Sequence, residues 1–300
     1  MSLLARLTEK GIAHPPKFLR ANMHYETIMG SVAYGVSSDT SDMDVYGFAI
    51  PPKDAIFPHL RGELIGFGTH APRFNQYQEH HLKDPDAMNG AGREVDLTIY
   101  NIVDYFQLAM KNNPNLLDSL FTHDSCVLHI TRVGQMVREA RRMFLHKGCW
   151  HTFKGYAYAQ LTKMSSQNRV GKRKATIDQH GYDVKFAYHV VRLIDEAEMI
   201  LTEGDLDLMR NREQLKSIRR GEWKQEEIRD YFSRREVELE KLYQSSSLQP
   251  SPDEGKIKSL LLHCLEEHYG SLEACIVDPD AAVTALREVR TVLEKYANLL

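Results

Sequence analysis

The sequence predicts an α+β protein, in which a small mixed sheet with flanking helices is followed by an all-helical region. Residues 20–125 mix short apolar runs with Gly, Pro, Ser and Asp, as alternating strands and helices do. From residue 131 onward, apolar residues recur at spacings of three and four, which indicates helices. We therefore expect two domains, residues 1–128 and 129–300, with a polar linker at about 245–255 before the last two helices.

The composition is that of an ordinary globular protein. Of the 300 residues, 42% are hydrophobic and 26% are charged. The net charge of −3 argues against a protein that coats nucleic acid with a uniformly basic surface, but it is compatible with a local basic cleft. No apolar run reaches the roughly 18 residues of a membrane helix, and no signal peptide is evident. The four cysteines form no CxxC pair, so neither a zinc site nor a disulfide framework is predicted. We expect a cytoplasmic protein without a membrane partner.

The predicted strands lie in the first third of the chain. A run ending at Met29 is the first, residues 45–51 are the second and end at two prolines, and residues 93–101 are a third that is rich in β-branched side chains. Residues 58–92 have little periodicity and predict a long connection, with a short strand at 63–68. The histidines in this connection, including the adjacent pair at 80 and 81, are interpreted as loop residues.

Helices account for most of the remaining chain. Residues 102–121 predict a helix that breaks at Pro114 and restarts. Helical periodicity then continues through 133–145, 153–164, 184–202, 227–243, 256–268 and 281–299. The glycines at plausible helix ends are Gly148, Gly181, Gly204 and Gly270.

The chemically informative segment is residues 30–50. Gly30 and Ser31 follow the first strand, and we expect a helix to begin there, so that free backbone N–H groups and a hydroxyl could bind the terminal phosphates of a nucleotide. Asp42 and Asp44 come eleven residues after Ser31 and are separated by one residue. In a strand they share one face while Met43 points into a core.

Two carboxylates on one strand face repel each other unless a cation lies between them. A third carboxylate from another strand would complete a two-metal site. Asp96 is the best candidate because it is flanked by apolar residues in the third strand, and Glu94 on the same face is the alternative. We predict that Asp42, Asp44 and Asp96 bind two Mg²⁺ ions, with Mn²⁺ as a substitute. Such a site supports attack of a hydroxyl on the α-phosphorus of a nucleoside triphosphate.

The combination of a Gly-Ser pair, a DxD pair and a later carboxylate on a strand resembles the DNA polymerase beta nucleotidyltransferase superfamily. Within it, GSVAYG, SDMDVYG and KxxxHxxR are similar to predicted nucleotidyltransferases of bacteria and phages, some of which are associated with RNA ligases. The resemblance covers most of residues 22–235. It implies a polymerase-beta-like core, a triphosphate contact at the Gly-Ser pair and metal binding by the three carboxylates. It does not imply an acceptor.

The helical part contributes further candidates. Lys185, His189 and Arg192 share one face of a predicted helix. The alternative is an ordinary polar face with Arg192 paired to an acid, and the resemblance in KxxxHxxR favours nucleotide binding. Together with Gly30, Ser31 and Ser41 they form the predicted nucleotide site. The predicted acceptor contacts are Arg219, Arg220, Lys172 and Arg173.

The sequence thus predicts a metal-dependent enzyme that transfers a nucleoside monophosphate, for example from ATP, to a hydroxyl, with an RNA end as the preferred acceptor and pyrophosphate as the second product. One alternative is nucleotidylation of a protein or of a small molecule. The other is a non-catalytic nucleotide- or RNA-binding protein on the same fold. An intact set of carboxylates favours the enzyme, since a binding protein has no need of a costly acidic cluster.

Overall fold

The computed structural model describes residues 1–37, 41–165, 172–275 and 281–296. One sheet with the strand order β3-β4-β2-β1-β5 organises the first part of the chain. Its strands are β1 (Met23–Ile28), β2 (Met43–Ala49), β3 (Gln76–Asp84), β4 (Arg93–Asn101) and β5 (Val127–Ile130). Strands β2 and β4 are parallel and the other neighbouring pairs are antiparallel, so the sheet is mixed as predicted.

Helices flank this sheet and account for most of the described chain after it. Those in the first part are α1 (Leu3–Glu9), α2 (Lys53–Ile56), α3 (Ala87–Gly90), α4 (Ile102–Met110) and α5 (Pro114–Phe121). Those that follow β5 are α6 (Arg132–Glu139), α7 (Cys149–Met164), α8 (Lys172–His180), α9 (Val184–Glu203), α10 (Arg212–Arg219), α11 (Gln225–Ser245), α12 (Glu254–Tyr269) and α13 (Ala281–Tyr296). None of these helices has the length and hydrophobicity that a bilayer span requires.

The sheet separates two apolar clusters. On one face, Val45 and Leu97 pack against the apolar residues of α1. On the other, Phe48 and Tyr100 belong to the larger core, which also contains residues of α4, α5, α7 and α9. Alternation along β2 and β4 therefore sends one set of side chains toward α1 and the other toward the helical part of the chain.

The predicted break at Pro114 is confirmed. Helix α4 ends at Met110, and α5 begins at Pro114, where a missing N–H costs nothing. Asn113 caps α5, because its side chain accepts a hydrogen bond of 3.1 Å from the backbone N–H of Asn115. Six of the later helical segments were predicted, although α6 ends at Glu139, short of the predicted residue 145, and α8 and α10 were not predicted. A polar segment separates α11 from α12.

The prediction for residues 58–92 was wrong in part. Strand β3 lies inside this segment and pairs antiparallel with β4, whereas the expected strand at 63–68 is only an isolated bridge between Leu64 and Phe67. Strand β3 is an edge strand with few buried side chains, so its sequence, QYQEHHLKD, lacks an apolar alternation. Strand β5 was also missed, and it contains residue 128, so the predicted domain boundary falls within a strand. The division into two domains stays a prediction.

Candidate active site

The carboxylates of Asp44 and Asp96 lie side by side on the sheet. Strand β2 pairs with β4 in a parallel register that aligns Asp44 directly with Asp96. Aligned residues of neighbouring strands project from the same face. Asp42 lies one residue before β2 and is exposed, while Met43 is buried on the opposite face. Asp44 and Asp96 thus lie on aligned strands, whereas Asp42 precedes the strand in which we expected it. The roles of all three in metal binding and catalysis stay predictions.

The electrostatics of Asp44 reflect this crowding. Burial is the largest cause that raises the pKa of Asp44 above its usual range, and the charges of Asp96 and Asp42 raise it further. The ammonium group of Lys185 opposes them. Carboxylate oxygens whose negative charges disfavour one another are the donors that Mg²⁺ or Mn²⁺ prefers. The residues present therefore fit a divalent cation.

The Gly30-Ser31 pair forms a tight turn directly above Asp44. The backbone N–H of Met29 donates to the carbonyl oxygen of Asp44 at 2.7 Å, which fixes the start of the turn to β2. Gly30 has φ +64°, and a Cβ atom on it would lie 2.2 Å from Oδ2 of Asp44. Only glycine fits both the left-handed backbone and this close approach.

We expected a helix to open at Ser31, and that prediction was wrong. Residues 31–35 are turns, closed by hydrogen bonds from the N–H of Tyr34 to the carbonyl oxygen of Gly30 at 3.2 Å and from the N–H of Val36 to that of Ser31 at 2.9 Å. The positive φ of Gly30 and of Gly35 interrupts helical geometry at both ends of the segment. Phosphate binding at this turn would rely on local N–H groups rather than on a helix N-terminus.

A cleft of about 650 Å³ joins this turn to the helical part of the chain. Its wall from the sheet includes the turn and the three carboxylates, and its opposite wall comes from α8, α9 and α10. The lining residues that the sequence predicted are Gly30, Ser31, Ser41, Asp42, Asp44, Asp96, Lys185, His189 and Arg219. Residues that are far apart in the sequence, such as Gly30 and Arg219, therefore meet in one cleft.

The first two turns of α9 supply cationic and aromatic groups to the cleft. Asp183 caps this helix by accepting a hydrogen bond from the backbone N–H of Lys185 at 3.0 Å. The side chain of Lys185 is exposed and acts electrostatically on Asp44. The ring of His189 lies 4.1 Å from that of Tyr188, centroid to centroid.

Arg192 does not line the cleft, which corrects its prediction as a nucleotide-binding residue. It lies one turn deeper in α9 than His189, is only 5% exposed, and forms salt bridges with Asp118 and Glu196. Its guanidinium also stacks over the ring of Tyr34, 4.3 Å from the centroid. Helix α9 enters the core after its second turn, so the face shared by Lys185, His189 and Arg192 is open only at its N-terminal end.

Of the two predicted acceptor residues whose side chains the structure describes, only Arg219 lies in the cleft. Arg219 lines the cleft and donates a hydrogen bond of 2.5 Å from Nη1 to the carbonyl oxygen of Val36. Arg220 is paired with Glu222 and does not line the cleft, because the next residue along the helix points to another side. The side chains of Lys172 and Arg173 lie outside the described residues.

The interpretation of His80 and His81 as loop residues was wrong, because both lie in strand β3. Strand β3 has a bulge at which His80 and His81 lie opposite Asp96. His81 has φ +59°, and its backbone N–H donates to Oδ1 of Asp96 at 2.7 Å. Its ring is hydrogen-bonded to Glu94, the alternative third carboxylate. His81, Glu94 and Asp96 present ligand atoms within 4.8 Å of one another. An unpaired residue in an edge strand leaves no periodic signal in the sequence, so only the register could reveal it.

The mixed sheet, the aligned carboxylates and the adjoining Gly-Ser turn define a polymerase-beta-like nucleotidyltransferase fold with a helical C-terminal region. The chain belongs to the RNA repair pathway DNA polymerase beta family (RlaP), which matches residues 8–255. This finding confirms the resemblance that the motifs indicated.

Other comparisons add little. A search of the solved structures finds the crystal structure of a nucleotidyltransferase-like protein from Exiguobacterium sibiricum 255-15, with 10% identity and a TM-score of 0.28. That match covers 80% of this chain and 73% of the other. A search of curated proteins gives no significant match.

Proposed function

We propose that this protein transfers a nucleoside monophosphate from a nucleoside triphosphate to a hydroxyl group at an RNA end, with release of pyrophosphate. The observation that carries the proposal is the direct alignment of Asp44 with Asp96, beside a turn in which Gly30 lies against Asp44. Family membership supports the reaction class. A cytoplasmic location belongs to the same proposal and is supported by four cysteines that are free thiols.

The residues of the cleft divide into two groups. Backbone N–H groups near Ser31 would bind the triphosphate, and Lys185 and His189 on the opposite wall would neutralise and orient it. Placing the α-phosphorus between the two walls lets an acceptor hydroxyl attack in line, so that the new P–O bond forms as the bond to pyrophosphate breaks. The hydroxyl proton passes to a neighbouring carboxylate or to water.

Asp42, Asp44 and Asp96 would hold the divalent cations, which supply Lewis acidity toward the phosphate oxygens and the acceptor hydroxyl when bound. Two groups of the chain itself act on these carboxylates. Lys185 favours the ionised form of Asp44, and the backbone N–H of His81 holds one oxygen of Asp96.

The test is transfer of label from each α-³²P nucleoside triphosphate, with Mg²⁺, to total RNA. Asp44→Asn and Asp96→Asn are expected to abolish transfer while the fold persists. Glu94→Gln should retain activity, because Glu94 pairs with His81, and Asp86→Asn, an exposed carboxylate, is the matched control. Label on protein would instead indicate nucleotidylation of a protein hydroxyl. Transfer that persists without Asp44 and Asp96 would contradict the proposal.

A further inference from the structure

A second cavity, of about 830 Å³, opens on the same side of the sheet as the carboxylates. We call it the β3 groove, and its lining residues are Arg73, Phe74, Asn75, Gln76, Tyr100, Asp104, Gln107, Leu108 and Lys111. Tyr100 is four residues beyond Asp96 on β4, so both side chains project from one face, and Gln76 is aligned with Tyr100 in the antiparallel pair. The groove and the candidate active site therefore share one surface of the sheet.

A row of exposed polar side chains connects the groove to Asp96. Gln76, Gln78 and His80 alternate on the exposed face of β3. At the end of this row, Nδ1 of His80 lies 3.6 Å from Oδ1 of Asp96. Four residues of strand span about 13 Å, which is more than a small acceptor molecule could bridge.

Two aromatic rings, one from each cavity, also lie close together. Tyr46 lines the active-site cleft and Tyr100 lines the groove, and their ring centroids are 6.1 Å apart. The two cavities therefore adjoin at these rings.

The chemistry of the groove suits a single-stranded nucleic acid. Lys111 is exposed and has no ion-pair partner among the described residues, so its ammonium group is available to a phosphate. Arg73 pairs with Asp104 at 3.0 Å across the groove and remains half exposed. The amides of Gln107 and of the β3 residues can hydrogen-bond to sugars and bases without requiring one sequence.

We propose that the β3 groove and the exposed face of β3 bind the segment of a single-stranded RNA acceptor that precedes its terminal hydroxyl, so that the hydroxyl lies at Asp44 and Asp96. The proposal rests on the proposed function, since it assigns a binding track to that acceptor. It explains why the edge strand presents amides and a histidine on this face. The proposal also predicts that the efficiency of transfer depends on the length of the RNA acceptor.

The test compares Lys111→Glu with Lys241→Glu, which reverses the charge of an exposed lysine on α11 outside the groove. Transfer is measured with a dinucleotide acceptor, which cannot reach the groove, and with an oligoribonucleotide of about ten residues. For the longer acceptor, Lys111→Glu should raise KM by about five-fold or more. The slope of log Kd against log salt concentration, measured by fluorescence anisotropy, should become shallower by about 0.7 per lost phosphate contact. Both variants should use the dinucleotide like the wild type.

The two proposals can fail separately. If the wild type transfers label to RNA but Lys111→Glu and Lys241→Glu behave alike with the longer acceptor, the groove proposal is overturned and the proposed function stands. If the wild type labels no RNA yet binds the oligoribonucleotide in a way that depends on Lys111, the groove is supported as an RNA site and the proposed reaction fails. Equal effects of Lys111→Glu on both acceptor lengths would also overturn the groove.

Discussion

Replacement of Gly30 by alanine tests whether the Gly-Ser turn controls the geometry of the carboxylates. The new Cβ atom would lie 2.2 Å from Oδ2 of Asp44. An ordinary non-bonded separation is about 3.5 Å, so the carboxylate must move by about 1 Å or the turn must lift away. The φ of +64° adds backbone strain of about 1–2 kcal/mol.

Gly35→Ala is the matched control within the same turn. Gly35 has φ +65°, so the backbone strain is the same, but its Cβ would meet Met209 Cε at 3.0 Å and the side chain of Arg212 at 3.4 Å. These are parts of long, adaptable side chains. Both variants should therefore lose similar stability, on the order of 1–2 kcal/mol, whereas only Gly30→Ala displaces a carboxylate.

We expect the two variants to differ in activity but not in stability. A displacement of about 1 Å in a catalytic group costs about 100-fold in rate, so kcat for nucleotidyl transfer should fall about that far in Gly30→Ala. Gly35→Ala should stay within about ten-fold of the wild type, and the thermal midpoints of the two variants should agree within about 3 °C. Equal losses of activity in both variants, or an active Gly30→Ala, would refute the argued role of the close approach.

Three further predictions concern stability. Arg192→Leu should lower the free energy of unfolding by about 3–5 kcal/mol in urea titrations, because it leaves two buried carboxylates without their partner. Asp44→Asn should raise the thermal midpoint slightly in metal-free buffer, since it removes like-charge repulsion from a carboxyl whose pKa is raised; a lower midpoint would contradict this. Burial and, to a smaller extent, neighbouring histidines lower the pKa of His24 to about 4. The unfolded chain therefore binds a proton at His24 at a higher pH than the folded chain does, and the free energy of unfolding should fall as the pH falls from about 6.5 to 4. In His24→Gln that decline should shrink by about 3 kcal/mol, and an unchanged pH profile would contradict the assignment.

The carboxylate site was predictable because it depends on local periodicity. Asp42 and Asp44 share a face in any strand, and an apolar pattern around Asp96 identified a second strand. The alignment of Asp44 with Asp96 was not predictable, since strand order and register are set by packing of the whole sheet.

The errors have a common physical origin in tertiary context. Arg192 shares a helical face with Lys185, but only the packing of α9 decides how much of that face is open. Strand β3 is held by hydrogen bonds to β4 and by little apolar burial, so hydrophobic patterning could not find it. A backbone donor such as that of His81 is available in every residue type except proline, and thus has no signature in sequence.

The turn beside Asp44 is held by residues from both parts of the chain. The hydroxyl of Tyr34 donates to Asp118 at 2.7 Å, and Arg192 of α9 packs over the Tyr34 ring while it pairs with that same carboxylate. Arg219 of α10 donates to the carbonyl oxygen of Val36 at the end of the turn. Since the position of Gly30 against Asp44 depends on this turn, the helices after β5 contribute to the geometry of the carboxylates and not only to the opposite wall of the cleft. The unit that performs the proposed chemistry therefore extends at least through α10, and a division of the chain near residue 128 does not separate catalysis from substrate binding.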